Sequence, residues 1–465
     1  MYKYDVILVG GGIANILCAV KLANTDKKVL LIEQGNEIHK RICPKMKTGK
    51  CVNCKPCKIT TGFGGAGFCS DCKLTYTHEI GGDVASYIGK EKFYELLNDV
   101  SNTFTDFGAA ENYVYNEEFA NNFQYECSKY GMKLIKYPVR HLGTDGARVV
   151  MQNIYDYLEA SPNITIKCNK EVVDIDFSNK VVYLAHKLVD TELEEYEYTA
   201  DYISIAVGRH GSEWLSNLCK KQGIKVEAGA VDIGVRVECP RSVTDNITDN
   251  LYEMKIVYNS STGNICRTFC VNPGGYVVRE NYDGNIACVN GHSLSDNKSF
   301  TTNFAILVSC RFTEPFNEPI EYGKSICRLS NMLSDGKPMV QRLVDLQSRK
   351  RSTSDRLKRI IYEPTLTEVE PGDLRYVLPP NVLDSILEFL DKLNNVMPGI
   401  SSDGNSTLLY APECKFSSAR IDLNNNLQTE RYTGIYFAGD SAGISRGIMQ
   451  AAIAGDFIAK DILEE

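Results

Sequence analysis

Long apolar runs are what this sequence lacks. No stretch of about eighteen consecutive apolar residues occurs in its 465 residues, so no membrane-spanning helix is expected. The first apolar run begins within six residues of Met1, which leaves no space for a secretory leader, and a cytoplasmic location is expected. A basic excess is also missing. The formal net charge is −8, which removes any global case for nucleic acid or an anionic membrane and leaves only local patches. With 43% hydrophobic and 24% charged residues, the composition is that of a soluble globular chain of about two or three domains. Acids are absent from one stretch in particular: from His39 to Ser70 there are seven Lys or Arg residues and no Asp or Glu.

Cysteine, by contrast, is abundant, with 17 residues. In a reducing compartment most should be thiols or metal ligands rather than disulfides. Eleven are scattered singly and read as small buried apolar residues. The other six lie in the acid-free stretch and just after it. Cys43, Cys51, Cys54 and Cys57 follow the spacing C-x7-C-x2-C-x2-C, which offers four thiolates within fifteen residues. Thiolates two residues apart can converge on one ion, so these four are candidate ligands of zinc or an iron–sulfur cluster. The surrounding bases would lower the thiol pKa values. The run does not complete a ferredoxin-type pattern, because its Cys-Pro pair comes first rather than last. Free thiols on a basic loop, or redox chemistry by Cys69-x-x-Cys72, are the alternatives.

The chain is organised around its first thirty-five residues. Val6 to Val9 is a short apolar run suited to a strand buried on both faces of a parallel sheet. Gly10, Gly11 and Gly12 follow, then Ile13, Ala14 and Asn15 open a helical pattern, and a second apolar run from Val29 to Ile32 ends in Glu33 and Gln34. Strand, glycine turn, helix and strand form the unit that sets a pyrophosphate on a helix N-terminus, where free N–H groups and the helix dipole favour negative charge. Glu33 stands where a carboxylate accepts from ribose hydroxyls, which disfavours a 2′-phosphate. Asn15 replaces the third glycine of the fingerprint G-x-G-x-x-G, at an expected cost in helix–strand packing.

Further along, Gly62, Gly64, Gly65, Ala66 and Gly67 suggest a loop whose backbone approaches something flat or anionic. Residues 80–160 read as mainly helical. Phe93, Leu96, Leu97, Val100 and Phe104 mark one face, and Val149, Ile154, Tyr157 and Leu158 mark another. Strands follow at 164–169 and around Val172 and Val173, then a hairpin, then an apolar strand ending in Ala206-Val-Gly208-Arg-His210-Gly211, a second glycine turn. Val231 to Glu238 alternates as a strand. Residues 240–330 are rich in short strands, and 380–400 reads as a helix. Six basic residues fall between Arg349 and Arg359; the expected role is a solvated face, with phosphate or nucleic-acid contact as the alternative. Near the C-terminus a buried strand ends in Gly439-Asp440. Ser441-Ala-Gly-Ile-Ser-Arg446-Gly447 then leads into a helix beginning at Ile448.

Taken together, the opening fingerprint, the A-V-G-R-x-G strand and the Gly439-Asp440 ending resemble two-dinucleotide-binding-domain flavoproteins. The chain is most similar to the poorly characterised bacterial NAD(P)/FAD-dependent dehydrogenase or oxidoreductase family. Further motifs carry that resemblance: Gly64-Gly-Ala-Gly67 with Ser70-Asp71, Gly208-Arg209, Asp232-Ile-Gly-Val-Arg-Val-Glu238, Pro273-Gly-Gly-Tyr-Val-Val, Asn290-Gly-His-Ser, Asn303-Phe-Ala, Pro364-Thr-Leu, Gly372-Asp-Leu and Leu409-Tyr-Ala-Pro-Glu413. Cys72 departs from it, standing where the family commonly has Gly, and the cysteine cluster occurs in only some members.

The resemblance implies an α/β fold. A Rossmann-like three-layer FAD-binding domain built on a parallel sheet (residues 1–238 and 401–465, with a Cys-rich loop at 39–75) would carry an inserted α+β substrate or cap domain (239–400). It implies non-covalent FAD held by Gly10, Gly12, Ile13, Ala14, Asn15, Glu33, Gln34, Gly64, Gly65, Ala66, Gly67, Val172, Val173, Ala206, Gly208, Gly439, Asp440, Gly447 and Ile448. The expected activity is FAD-dependent hydride or electron transfer on a small-molecule substrate. An FAD enzyme acting on a modified nucleic-acid base, and a flavin and cysteine-cluster redox sensor, are the alternatives. No second βαβ fingerprint for a nicotinamide domain is present, so electrons would come from the substrate, a transiently bound NAD(P)H or a ferredoxin-like donor. His210, His292, Arg446, Cys69 and Cys72 are the candidates for chemistry.

Overall fold

The computed structural model describes residues 2–44, 47, 52, 54–69, 72–185, 197–282, 286–293, 297–310, 312, 315–316, 318–401 and 406–464. The chain divides into two compact units. Residues 1–112, 140–228 and 418–465 form the first, and residues 113–139 and 229–417 form the second.

The first unit is built on a parallel sheet. Strand Tyr2–Val9 holds Val6 to Val9 almost without exposure, as a strand covered on both faces requires. It pairs in parallel with Val29–Ile32 on one side and Glu197–Ile205 on the other. Ile164–Lys167 extends the sheet beyond Val29–Ile32, and Tyr432–Phe437 extends it beyond Glu197–Ile205, both in parallel. Antiparallel pairing is marginal: Gln428–Thr429 lies at one edge, and the hairpin Val172–Asp176 with Val181–Leu184 joins Glu197–Ile205. From Tyr2–Val9 the chain first moves outward to Ile164–Lys167, then returns to fill the other side with Glu197–Ile205 and Tyr432–Phe437. The reversal falls between Tyr2–Val9 and Glu197–Ile205. In open α/β sheets, ligands bind outside the carboxyl ends of strands at such a point.

Helices around this sheet follow their apolar stripes. Lys90–Asp106 buries Phe93, Leu96, Leu97, Val100 and Phe104, the face predicted from spacing. Gly143–Ala160 is also a helix, but its buried face carries Val150, Met151, Ile154 and Leu158, while Val149 is exposed. Ile154 and Leu158 face the core as expected, while Val149 and Tyr157, each one position before a buried residue and so about 100° away, point to solvent. Helix Ile13–Leu22 packs closely on the C-terminal helix Ile448–Glu464: a Cβ at Gly455 would lie 1.8 Å from the carbonyl oxygen of Ala14.

The second unit holds a mainly antiparallel eight-stranded sheet. Its order is Glu370–Pro371, Met339–Arg342, Leu408–Phe416, Val231–Pro240, Thr301–Cys310, Ile265–Asn272, Lys255–Asn259 and Met132–Ile135. Central strand Val231–Pro240 alternates strictly. Val231, Ile233, Val235, Val237 and Cys239 enter an apolar core with Ile386, Phe389 and Leu390 of helix Pro380–Leu393. Asp232, Arg236 and Glu238 occupy the opposite face and are also buried.

The unit borders differ from the expected domain borders. Val231–Pro240 and Leu408–Phe416 pair with each other inside the second sheet, and Met132–Ile135 supplies its edge strand by pairing with Lys255–Asn259. A period-two pattern identifies a strand but not its sheet, because the partner is remote in sequence.

Candidate functional site

Three turns lie at the carboxyl ends of three adjacent parallel strands in the first unit. Gly10 follows Tyr2–Val9, Ala206 follows Glu197–Ile205 and Gly439 follows Tyr432–Phe437. Their backbones are tied together, since Ala206 N–H donates to Val9 O at 2.9 Å and Ala438 N–H donates to Ile205 O at 3.1 Å. Gly10 adopts φ +97°, and a Cβ there would stand 2.5 Å from Ala206 O, so a side chain is excluded twice over. Gly12 precedes helix Ile13–Leu22, which has no side-chain cap and no acid in its first turn. Such a terminus leaves its first N–H groups to a ligand and suits an anion.

Asn15 does not cost packing as expected. It is fully buried and serves as a cross-brace. Its Nδ2 donates to the carbonyls of Val9 and Gly10, each at 2.9 Å, and its Oδ1 accepts from the Ser204 hydroxyl at 2.7 Å. The amide thereby fastens the helix start to two strands. Glu33 is likewise buried and held: Oε2 accepts from Gly11 N–H and Oε1 from Gly35 N–H, both at 2.7 Å. Each oxygen retains acceptor capacity for a hydroxyl. Gln34 beside it is exposed.

The second glycine loop joins the first. Gly64 N–H donates to Gly11 O at 2.9 Å, and a Cβ at Gly65 would lie 3.3 Å from Gly12 Cα. Gly67 meets the start of the C-terminal helix, where its Cβ would lie 2.9 Å from Ile448 Cγ1. Ala66 is exposed. A residue that the sequence reading did not single out shapes this loop. Arg41 is 3% exposed and donates to the carbonyls of Lys58, Ile59, Phe63 and Gly65. The signal available was one base among seven, with nothing local to mark it as buried.

Asp440 accepts from Arg209 through Nε at 3.2 Å and Nη2 at 3.1 Å, and from the Ser418 hydroxyl at 3.4 Å. The Gly208-Arg209 and Gly439-Asp440 motifs are therefore brought into contact. Arg446 and Gly447 donate their N–H groups to Gly81 O, and Gln450 caps the same segment by accepting from Val84 N–H and donating to the carbonyls of His78 and Ile80. Gly81 and Gly82 were also missed; a paired glycine was the signal.

Other predicted residues fall apart from this cluster. Val172 and Val173 lie on the hairpin; Val173 is exposed, and its carbonyl accepts from Trp214 Nε1. The nearby segment does run beside the acid, with Lys170 N–H donating to Glu33 O. His210 and Arg446 are exposed in the first unit. His292 is half-buried on a hairpin of the second unit, opposite Tyr276. Cys72 is buried with φ +48°, and its carbonyl accepts from Leu142 N–H.

Of the four candidate metal ligands, Cys51 lies outside the described residues, as do Ser70 and Asp71 of the neighbouring motif. Cys43, Cys54 and Cys57 are half-buried free thiols, and among the described residues no group of three His, Cys, Asp or Glu is arranged to hold a metal ion. The Cys57 thiol is engaged by its own loop. Burial raises it, but the N–H groups of Thr60 and Ile59, the Thr60 hydroxyl and the Arg41 charge together bring it below the usual thiol range. Burial pushes Cys69 up.

In the second unit, several motif residues form a buried polar network. Arg236 uses all five N–H donors, two on Glu413 at 2.8 Å and the rest on Cys270 O, Asn303 Oδ1 and Asn290 Oδ1. Glu238 accepts from Thr301, Thr365 and Tyr410. In the basic run, Arg356 and Lys358 pair with Asp345 and Asp355, while Arg349, Lys350 and Arg359 are exposed. No described helix is long and apolar enough to cross a membrane.

The parallel sheet and its switch point define the first unit as an α/β fold. Residues 230–415 match the family model described as FAD-dependent protein, C-terminal domain-like, a span lying within the second unit. The match relates the chain to FAD-dependent proteins. An uncharacterized protein from Clostridium beijerinckii is 24% identical over 488 aligned positions, covering 100% of this chain and 81% of that one. Among solved structures, glycine oxidase from Geobacillus kaustophilus aligns at 11% identity and TM-score 0.39, covering 100% of this chain and 96% of its own. E. coli quinol fumarate reductase FrdA aligns at 12% and 0.43, covering 100% and 70%. Formate oxidase aligns at 10% and 0.46, covering 100% and 98%.

Proposed function

We propose that the protein is an FAD-dependent oxidoreductase that exchanges a hydride or electrons with a small-molecule substrate. The observation that carries this reading is the convergence of the turns at Gly10, Ala206 and Gly439, with the 62–67 loop bonded to the first of them through Gly64 N–H and Gly11 O. The cradle fits the cofactor, since Gly10 and Gly64 exclude a side chain and both helices that begin there lack an acid in the first turn.

In this reading Gly10, Gly12, Ile13, Ala14 and Asn15 hold the pyrophosphate, and Glu33 takes the adenosine ribose hydroxyls. Gly64, Gly65, Gly67, Gly439, Asp440, Gly447 and Ile448 hold the flavin half. Two N–H bonds fix the Glu33 carboxylate before any hydroxyl arrives, so little ordering remains to be done on binding. Arg209 restrains Asp440 in the same way. When bound, FAD supplies the ring that accepts and returns the electrons. Reducing equivalents come from the substrate, a transiently bound nicotinamide or a ferredoxin-like donor.

The test is an absorbance spectrum and nucleotide analysis of the purified protein, followed by anaerobic titration with NADH and NADPH. Stoichiometric FAD, released on denaturation, is the expected result. Protein that neither retains nor rebinds FAD would overturn the reading. Lack of bleaching by either nicotinamide would leave the substrate or a ferredoxin-like donor as the source of electrons.

A further inference from the structure

Three of the cysteines scattered through the sequence meet in the core of the second unit. Cys288 lies on strand Ile286–His292, Cys327 on helix Pro319–Leu333 and Cys414 on strand Leu408–Phe416. The Cys288 and Cys327 sulfurs are 3.3 Å apart, and those of Cys327 and Cys414 are 3.4 Å apart. All three are fully buried. The helix packs on both strands, so each thiol comes from a different element and the cluster is a product of tertiary packing alone.

Sulfurs this close suit one chemistry in particular. A disulfide has a sulfur–sulfur length of about 2.0 Å, so bridging either pair requires an approach of roughly 1.3 Å. Metal coordination is not indicated, because among the described residues no group of three His, Cys, Asp or Glu is arranged to hold an ion. We propose that Cys327 is the shared partner of a reversible disulfide in the second unit, formed with Cys288 or with Cys414 on exposure to hydrogen peroxide.

The chemistry balances in two steps. The Cys327 thiolate attacks a peroxide oxygen; the S–O bond forms, the O–O bond breaks, and the leaving oxygen departs as water after taking up a proton. The neighbouring thiol then attacks the Cys327 sulfur; the S–S bond forms, the S–O bond breaks, and a second water leaves. Two thiols lose two electrons and the peroxide is reduced to two waters. The local hydrogen bonding favours Cys327 as the first nucleophile. Contacts from Cys288 and Cys414 hold its thiol below the ordinary range; the contact with Cys327 and burial push Cys288 up, and contacts with Cys288 and Cys327 together with burial push Cys414 up. A Cys288–Cys327 bridge would tie the hairpin to the helix, and a Cys327–Cys414 bridge would tie the helix to the central sheet.

Two other buried cysteines serve as internal references. The Cys239 thiol contacts Thr302 O at 3.8 Å and the Cys266 thiol contacts Ser385 O at 3.7 Å. The experiment treats the native full-length protein with hydrogen peroxide, quenches it with an alkylating agent under denaturing conditions and maps the peptides by mass spectrometry. The expected result is a peptide pair joining Cys327 to Cys288 or Cys414, lighter by about 2 Da than the reduced pair, with Cys239 and Cys266 fully alkylated. Dithiothreitol should restore three alkylatable thiols. In Cys288→Ala only the Cys327–Cys414 pair should form, and in Cys414→Ala only Cys288–Cys327. The proposal is overturned if all three remain alkylatable after native treatment, if Cys327 stops at an oxyacid without bridging, or if bridges appear only after unfolding. The wild-type mapping decides the matter even where a variant fails to fold.

Discussion

The Ser204 hydroxyl donates to Asn15 Oδ1 at 2.7 Å, linking the start of the first helix to the strand Glu197–Ile205. Asn15 stands where the dinucleotide fingerprint has its third glycine, and here the side chain supplies what close packing supplies elsewhere. Restoring the fingerprint should therefore harm this protein. Asn15→Gly removes the bonds to Val9, Gly10 and Ser204 and adds the helix penalty of glycine. The expected loss is about 1–3 kcal/mol for the buried polar groups left unpaired, seen as a lower denaturation midpoint. Asn15→Ala with Ser204→Ala should recover part of the Asn15→Ala loss, because the orphaned hydroxyl is removed with its partner.

Arg41 organises the loop that carries the second glycine run. Its fork reaches four carbonyls, which the three donors of an ammonium cannot match. Arg41→Lys should cost at least one charge-assisted hydrogen bond, about 1.5–3 kcal/mol. Tryptic cleavage after Lys58 should accelerate, and FAD retention should fall with it. Unchanged cleavage would remove the organising role.

Cys57 and Cys69 share the environment of Arg41 but are shifted in opposite directions. The thiolate is the nucleophile, so iodoacetamide near neutral pH should modify Cys57 faster than Cys69. Peptide mapping over a short time course checks this order. Equal rates would contradict it.

Glu388 is held by the Ser261 hydroxyl, the Tyr258 hydroxyl and the Ser261 N–H, which together bring its carboxyl below the ordinary range. A carboxyl that titrates lower when folded contributes stability above its unfolded value, about pH 4.3, and loses it as pH falls through the folded value. Glu388→Gln should therefore unfold at lower denaturant than the wild type at pH 7, and the gap should narrow toward pH 3. A gap of constant size would mean that the carboxylate charge plays no part.

By itself the sequence determined the elements whose cause is local. The buried run Val6–Val9, the turn at Gly10 and the acid at Glu33 lie within one continuous unit, so their spacing defines strand, turn, helix and strand together. The same holds for Lys90–Asp106 and for the strand ending at Gly439-Asp440. What the tertiary structure alone decided are the meetings of residues remote in the chain. It assigned Val231–Pro240 and Met132–Ile135 to the second sheet, bonded Arg209 to Asp440, buried Arg41 of the acid-free stretch among carbonyls, and brought Cys288, Cys327 and Cys414 together. Periodicity records which face of an element is apolar. It carries no term for which distant element will cover that face, and these contacts are fixed by that choice.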